Sequence, residues 1–434
     1  MRSITRRVAA SVALCSLSGM AWAGTDPLVE RMVREVSKDR LTSTVLALQS
    51  FQTRFTYTQG NTDAGNWLYD YFSNLGLEVE RHRFTWSTHT EDNIVARIRG
   101  RTLPDEIVGI SAHFDSTSEQ PYTLAPGADD DASGISAVLE AAWIFRNYQF
   151  ERTVEFWCFN AEEQIRRGSR ALAADYVAAG KTVYAVVNSD MIGYWPTGWA
   201  RDLDVVYEPV SQWLANKVIS ACDRYVGIPA SKHLSGMCRD DHISFTDLGI
   251  AAVSLMDCWD AHNGGNENTP YYHTSGDTID TLNLDCMTQA VQVNMAAVAE
   301  LGGPLSLSVS AASLSASSGG TIDLFLSAGP EESLRSYAIF GSVSGTSPGI
   351  PLPGGPVLPV NWDVFTRVVL QLANTTFFQN FAGALDGSGR STATFYVPPG
   401  ALAGFENQLS FYFAYPLLQP MDFASTPVRI DVVQ

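Results

Sequence analysis

Four short apolar runs, residues 107–112, 154–159, 183–187 and 251–256, constrain this chain more than any other feature. None of them alternates apolar with polar residues. Each would therefore bury both faces, as strands do in a largely parallel sheet with helices on either side. Helical spacing precedes and separates the runs. Leu28, Val29, Met32, Val33 and Val36 give an opening helix; Trp67, Leu68, Tyr71, Phe72 and Leu75 give a second, stopped by Gly76. Ile135, Val138, Leu139, Ala142 and Trp143 give another. With further strands near 77–86 and 93–99, the expectation is an α/β domain whose mostly parallel central sheet is flanked by helices.

The last third of the chain is written differently. Residues 304–434 contain no His, Lys or Cys and only 12 charged residues. Ile322, Leu324 and Leu326 alternate with the other face, as do Leu409, Phe411, Phe413 and Tyr415, and Val428, Ile430 and Val432. Gly, Ser and Pro punctuate between them, so an all-β antiparallel sandwich is expected, joined at Gly302-Gly303-Pro304 to an α/β domain of residues 24–303. Residues 1–23 read as a signal peptide: Arg2, Arg6 and Arg7 are basic, residues 8–17 are apolar, and Ala21-Trp22-Ala23 is a small-x-small cleavage site. The chain is then expected to be secreted or periplasmic, and no later stretch is apolar for long enough to insert in a membrane.

The net charge of −18 becomes −21 once the three leader arginines are removed. Such a chain repels phosphate backbones and anionic membranes, so no nucleic-acid partner is expected. Five cysteines remain after the leader, and Cys158, inside an apolar run, is expected to be a buried thiol. No cysteine pair has zinc-ligand spacing, so any metal must sit on His and carboxylates.

Those residue types fall in a pattern. His113 and Asp115 end one apolar run, Glu162 and Glu163 follow the next, and Asp190 follows the third. Asp129-Asp130-Asp131 precede a helix beginning near Ser133, and His273 lies beyond the fourth run. Each has an ordinary reading: the aspartates cap a helix, the glutamates form a solvated turn, the histidine is structural. Together those readings fail, because loops after the carboxyl ends of parallel strands converge on one crevice, and here each delivers a metal-ligand type.

The sequence resembles the dinuclear-zinc aminopeptidases typified by secreted bacterial leucyl aminopeptidases. The motifs are His113-Phe114-Asp115, Gly127-Ala128-Asp129-Asp130-Asp131-Ala132-Ser133-Gly134, Glu162-Glu163, Asp190-Met191, and His273 through Thr278, in that order. The resemblance spans residues 28–303 and excludes the tail. It implies two zinc ions per chain, with Asp130 bridging them, His113 and Asp190 completing one site, and Glu163 and His273 the other. It also implies that Asp115 accepts the ring N–H of His113, that Glu162 shuttles protons, and that Tyr272 donates to the oxyanion. The implied substrates are peptide or protein N-termini, leucine-like by the apolar Met256, Trp259 and Tyr272, and the implied enzyme is a monomer. A Cys-x-x-x-Cys disulfide of some relatives has no counterpart; Cys238 with Cys258 is the expected substitute, and Cys222 with Cys286 the second choice. The alternatives are a glutaminyl cyclase of the same fold, suggested by Asp241-His242-Ile243-Ser244-Phe245, a carboxypeptidase of the wider clan, and a non-catalytic binding relative.

Overall fold

The structure, a computed structural model, describes residues 25–196, 201–235, 240–257 and 269–434. The leader, Cys238, Cys258, Trp259 and most of the loop beyond it lie outside the described residues. Helix α1 (Pro27–Arg34) starts where Asp26 accepts the Leu28 N–H at 2.8 Å, and it buries Leu28, Val29, Met32 and Val33 as its spacing predicts. Helices α2 (Lys38–Gln49) and α3 (Gln59–Asn74) follow, capped by Ser37 and Thr58.

The centre is an eight-stranded sheet built from β1 (Glu78–Trp86), β2 (His89–Ile98), β3 (Leu103–His113), β5 (Arg152–Phe159), β6 (Thr182–Ser189), β7 (Leu203–Tyr207), β8 (Ala230–Leu234) and β9 (Ala252–Asp257). A two-residue strand, β4 (Gln149–Phe150), lies outside it. The order is β1-β2-β5-β3-β6-β9-β7-β8. The middle four strands are parallel, as the apolar runs require. The edges are not: β1 and β2 form an antiparallel ribbon that also meets β5 antiparallel, and β7 runs antiparallel to β9.

Both faces of the parallel centre are covered. Val108, Ile110, Val154, Phe156, Ala185 and Val187 join the core that includes α4 (Gly134–Phe145) and α8 (Leu284–Gly302). On the other face Ile107, Trp157, Phe159 and Val186 pack with Leu172 and Ala173 of α5 (Arg167–Ala178) and Phe245 of α7 (His242–Thr246). The Trp157 ring stacks on Phe245 with centroids 5.1 Å apart. Gly109 makes room for it, since a Cβ there would sit 2.4 Å from the indole. Helix α6 (Gln212–Tyr225) lies beyond β7 and packs on α8.

The tail forms two four-stranded sheets. One comprises Leu307–Val309, Gly320–Ser327, Arg390–Val397 and Phe378–Gln379; the other, Ser313–Ser315, Val428–Val433, Ser410–Ala414 and Phe340–Ser342. The expected alternation holds, with Ile322, Leu324 and Leu326 buried. Two features depart from an all-antiparallel sandwich: Ser313–Ser315 runs parallel to Val428–Val433, and helix α9 (Val364–Gln371) packs Phe365 against Phe411. The tail also grips the sheet region. Strand β10 (Pro304–Leu305) pairs with β4, Arg31 of α1 forms a near-buried ion pair with Glu332, and one apolar core continues from Leu28 to Val432. Among the described residues no helix is long and apolar enough to cross a membrane.

Candidate metal centre and active site

Strands β5, β3 and β6 are neighbours and parallel, so their carboxyl ends share one rim. His113 is the last residue of β3, Asp190 follows β6 directly, and Glu162 and Glu163 sit on the turn after β5. Asp130 comes from the turn leading into α4, and His273 from the loop after β9. Several of these turns require left-handed backbone beside the side chain they present: φ is 58° at Ala161, 57° at Met191 and 55° at His273. Such conformations cost about 1–3 kcal/mol each and persist where the surroundings enforce them, often at functional sites. At Gly127 (φ 53°) a Cβ would lie 2.4 Å from the Asp130 carbonyl oxygen, so this turn tolerates no side chain.

The five expected ligands meet. The Nε2 atom of His113 is 3.2 Å from one oxygen of Asp130, and Nε2 of His273 is 3.2 Å from the other. Asp190 Oδ1 lies 3.8 Å from His113 Nε2, and Glu163 Oε2 lies 3.0 Å from His273 Nε2. Asp115 is fully buried behind them: its backbone carbonyl oxygen lies 3.1 Å from His113 Nδ1 and accepts the ring N–H, and its carboxylate Oδ1 lies 3.5 Å from the same nitrogen. That carboxylate oxygen accepts the backbone N–H of Glu162 at 3.0 Å, and the other accepts that of Glu163 at 3.2 Å. Asp115 thus ties the histidine to the glutamate turn. The Tyr272 ring stacks on His273 with centroids 3.7 Å apart and is half exposed at the rim.

Asp131 also comes close, and His113, Asp131 and Asp190 can bring ligand atoms within 4.8 Å of one another, as can Asp130, Glu163 and His273. The oxygens of Asp131 are already engaged. One accepts the His113 N–H at 3.2 Å; the other accepts Gly134 N–H at 2.8 Å and Met191 N–H at 3.4 Å. It fastens the rim, whereas Asp130 faces both histidines.

Burial raises the proton affinity of the acids: Asp190 is pushed up to about 6 and Glu163 to about 7, with Asp130 adding repulsion to both. Glu162 is raised well above the carboxylate range, first by burial and then by the charges of Asp241, Asp190 and Glu163. Asp130 goes the other way, because hydrogen bonds and charge from His113 and His273 outweigh its burial. Burial disfavours a charged His273, yet Asp130 and Glu163 lift it to about 10. Burial and the carboxylates of Asp130, Glu163, Asp190 and Glu162 also raise the Tyr272 phenol, keeping it a proton donor.

Such a crowd of buried acids costs several kcal/mol per charge unless cations offset it. Oε1 of Glu163 is buried with no hydrogen-bond partner. An orphaned carboxylate oxygen among imidazole and carboxylate groups is the donor chemistry that suits zinc, so these residues fit the metal.

Three contributors escaped the sequence reading. Arg54 is fully buried beneath the centre, donating to the carbonyl oxygens of Phe114, Leu48, Pro126 and Gly127 at 2.6–3.2 Å, and burial lowers its pKa to about 10. It fastens the backbone after His113 to that before Asp130. Asp277 lay inside a quoted motif without a role; its oxygens accept the N–H groups of Asp129 and Asp130 at 2.9 and 3.0 Å. Asp241, in the stretch that looked cyclase-like, is buried and pushed up to about 7, chiefly by burial. Arg54 had no sequence signal, being a lone arginine in a loop.

The disulfide expectations are resolved in part. Cys222 is a free thiol whose Sγ donates to the Ile228 carbonyl oxygen at 3.3 Å, so it does not pair with Cys286. The pair Cys238 and Cys258 lies outside the described residues. Cys158 is the buried thiol expected, its pKa raised by desolvation.

Comparison with known proteins agrees with this geometry. Residues 93–298 match the model of peptidase family M28. The chain is 30% identical over 298 residues to a probable leucine aminopeptidase 1 of Trichophyton verrucosum, covering 63% of this chain and 76% of that protein. Among solved structures, the LapA aminopeptidase of Legionella pneumophila shares the fold with a TM-score of 0.58 at 24% identity, over 67% of this chain and 78% of that one. A Bacteroides thetaiotaomicron glutaminyl cyclase shares it at 18% identity and a TM-score of 0.50, over 61% and 97% of the two chains. The likeness to the fungal protein extends beyond fold to sequence over three quarters of its length, and the chain therefore belongs to peptidase family M28, as a zinc-dependent aminopeptidase.

Proposed function

We propose that this enzyme is secreted, holds two zinc ions, and releases single apolar residues from peptide N-termini. One observation carries the reading: the two oxygens of Asp130 face different histidines, each 3.2 Å away. A carboxylate so placed would bridge two ions. His113 and Asp190 would complete one ligand set, and Glu163 and His273 the other. Held by these residues, zinc would supply Lewis acidity toward a carbonyl oxygen and toward water.

The remaining steps belong to this chain's own groups. Asp115 holds the His113 ring and, through the backbone, the orientation of the glutamate pair. Glu162, whose burial raises its proton affinity, takes the proton of the attacking water and returns it to the departing amine. The Tyr272 phenol, kept protonated by its acidic neighbours, donates to the oxyanion. Beside Asp190, Met191 packs with Val206 and Met256, an apolar cluster that supports a leucine-like preference. Export is supported by the basic, apolar and small-residue pattern of residues 1–23.

The test is metal analysis of the purified protein alongside turnover of leucine and glutamine anilides. The expected result is two zincs per chain and leucyl hydrolysis that disappears on chelation and returns with zinc. Ring closure of the glutaminyl substrate without leucyl hydrolysis would reassign the enzyme to cyclase chemistry. Full turnover in metal-free protein would overturn the mechanism.

A further inference from the structure

Away from the acidic centre, a cleft of opposite charge opens at the seam between the sheet region and the tail. It encloses about 820 Å³ between the start of β1, the end of β2 with its following loop, and the tail strands Gly320–Ser327 and Arg390–Val397. Five arginines line it: Arg97, Arg99, Arg101, Arg146 and Arg390.

Arg97 is neutralised by Glu78, Glu80 and Glu155 at 2.6–3.1 Å. Among the described residues no carboxylate lies within 4.0 Å of the other four guanidiniums. That is unexpected in a chain with 46 acidic and 28 basic residues, which has acid to spare for every base. Three of the four are positioned rather than loose. Arg101 lies over the Phe325 ring at 5.0 Å, and Arg146 over Trp143 at 3.9 Å. Arg390 donates to the carbonyl oxygens of Asn147 and Arg146. Burial holds the Arg390 pKa below its ordinary value; the Asp386 carboxylate, which also lines the cleft, opposes this in part, and the charge of Arg101 adds repulsion.

Guanidinium forks match the paired oxygens of carboxylates and phosphates, and a bound anion would relieve this repulsion. The volume falls in the range of sites for organic ligands, far above one small oxyanion. Two features select the ligand. Leu77, Ile98, Phe325 and Leu326 supply apolar lining beside the arginines. The net charge of −18 repels a long, uniformly charged polyanion but tolerates a short ligand that mixes acidic with apolar groups. We propose that this cleft binds an acidic peptide segment, its carboxylates on Arg99, Arg101, Arg146 and Arg390 and its apolar side chains against Phe325 and Leu77. The binding needs no catalysis and does not depend on the function proposed above.

The experiment is fluorescence anisotropy of the full chain with a short N-acetylated peptide of alternating glutamate and leucine, whose blocked end keeps it from acting as substrate. The controls are the same peptide with glutamine for glutamate, inorganic phosphate, and a sulfated oligosaccharide. Binding is expected for the glutamate peptide alone, falling as salt rises. Arg99 and Arg101 are exposed, so the double variant Arg99→Gln/Arg101→Gln is expected to fold. It should weaken binding about tenfold, equivalent to about 1.4 kcal/mol, with leucyl hydrolysis and melting temperature unchanged. Equal binding of the glutamine peptide, or unchanged affinity in the double variant, would overturn the proposal. Binding of the oligosaccharide or phosphate but not of the glutamate peptide would overturn it too, leaving an anion site of another kind.

Discussion

The sheet region and the tail solve the problem of a buried core in opposite ways. Beneath the rim of the central sheet, His113, Asp115, Asp130, Asp131, Asp190, Asp241 and Arg54 are all buried. In the tail, the core is aromatic: Phe378, Phe381, Phe395, Phe411 and Phe413 meet edge-to-face or stacked around Phe365. Its buried polar groups are serines, Thr366 and a single carboxylate, Glu332, which pairs with Arg31 across the seam. Burying charge is expensive and burying rings is favourable, so a region that buries many charges in one place does so for chemistry. The tail has no such place. What it contributes is packing, and it contributes it to a core shared with the sheet region.

The sharpest way to break this comparison is at the glutamate pair. Glu162→Gln should lower turnover by about 10²–10⁴ while zinc content stays near normal, because it removes a proton carrier and no ligand. Glu163→Ala should instead lose zinc, since its carboxylate faces His273. Zinc per chain and kcat measured on both variants decide the matter. The reverse pattern would exchange the two roles, and normal turnover in both would reduce the buried acids to structure.

The next effect is on stability. Arg54→Met strands four carbonyl oxygens and removes a cation whose charge acts on Asp277, Asp115, Asp131 and Asp130. A loss of about 3–5 kcal/mol is expected on unfolding in denaturant, the usual result of leaving buried charge uncompensated. Bound zinc supplies the missing positive charge, so the loss should be larger in chelated protein than in loaded protein. Equal losses would mean that Arg54 serves the backbone alone.

Glu332→Gln probes the seam. It breaks the pair with Arg31, whose side chain is only 10% exposed, and should cost about 1.5–3 kcal/mol, the worth of a hydrogen bond to a charged group. Zinc content and leucyl kcat/KM should not change. If they fall, the two regions share chemistry as well as stability. The composition break at Gly303 suggests that a chain ending there would keep its activity. The β4–β10 pairing and the shared core add that it should melt at a lower temperature.

How much of this was readable depended on whether the signal was local. The runs that became β3, β5, β6 and β9 were legible because strands buried on both faces show it in consecutive residues. Their ends showed the ligands for the same reason. Strand β8, at the sheet edge, has every residue at least partly exposed and carries no apolar run, and β7 is five residues long with Asp204 inside it. Helix α2 was legible but passed over: Leu41, Val45 and Leu48 have helical spacing and are buried. Arg54 was not legible at all, since three of its four acceptors lie 60 or more residues away. The seam is equally silent, its pairing being two residues from each side.

The smallest expected effect lies within the tail, where one acid does structural work near the surface. Asp363 caps α9, with Oδ1 accepting the Thr366 N–H at 3.0 Å. Its other oxygen accepts the N–H groups of Val343 and Ser344 and the hydroxyls of Ser342 and Ser344, all at 2.8–3.0 Å. Its partial burial alone would raise the pKa, but these donors outweigh it and hold the carboxyl below the ordinary aspartate value. A depressed folded pKa means stability that is fully present above the unfolded value of about 3.9 and is lost as pH falls through the folded one. Asp363→Ala should therefore cost about 0.5–2 kcal/mol at neutral pH, the range for a lost helix cap. The gap between variant and parent melting temperatures should stay constant down to about pH 4 and close below it. Zinc content and turnover should be untouched at every pH. A gap that persists unchanged in strong acid would show that the aspartate acts through shape rather than charge, and a fall in turnover would place part of the chemistry's support in the tail.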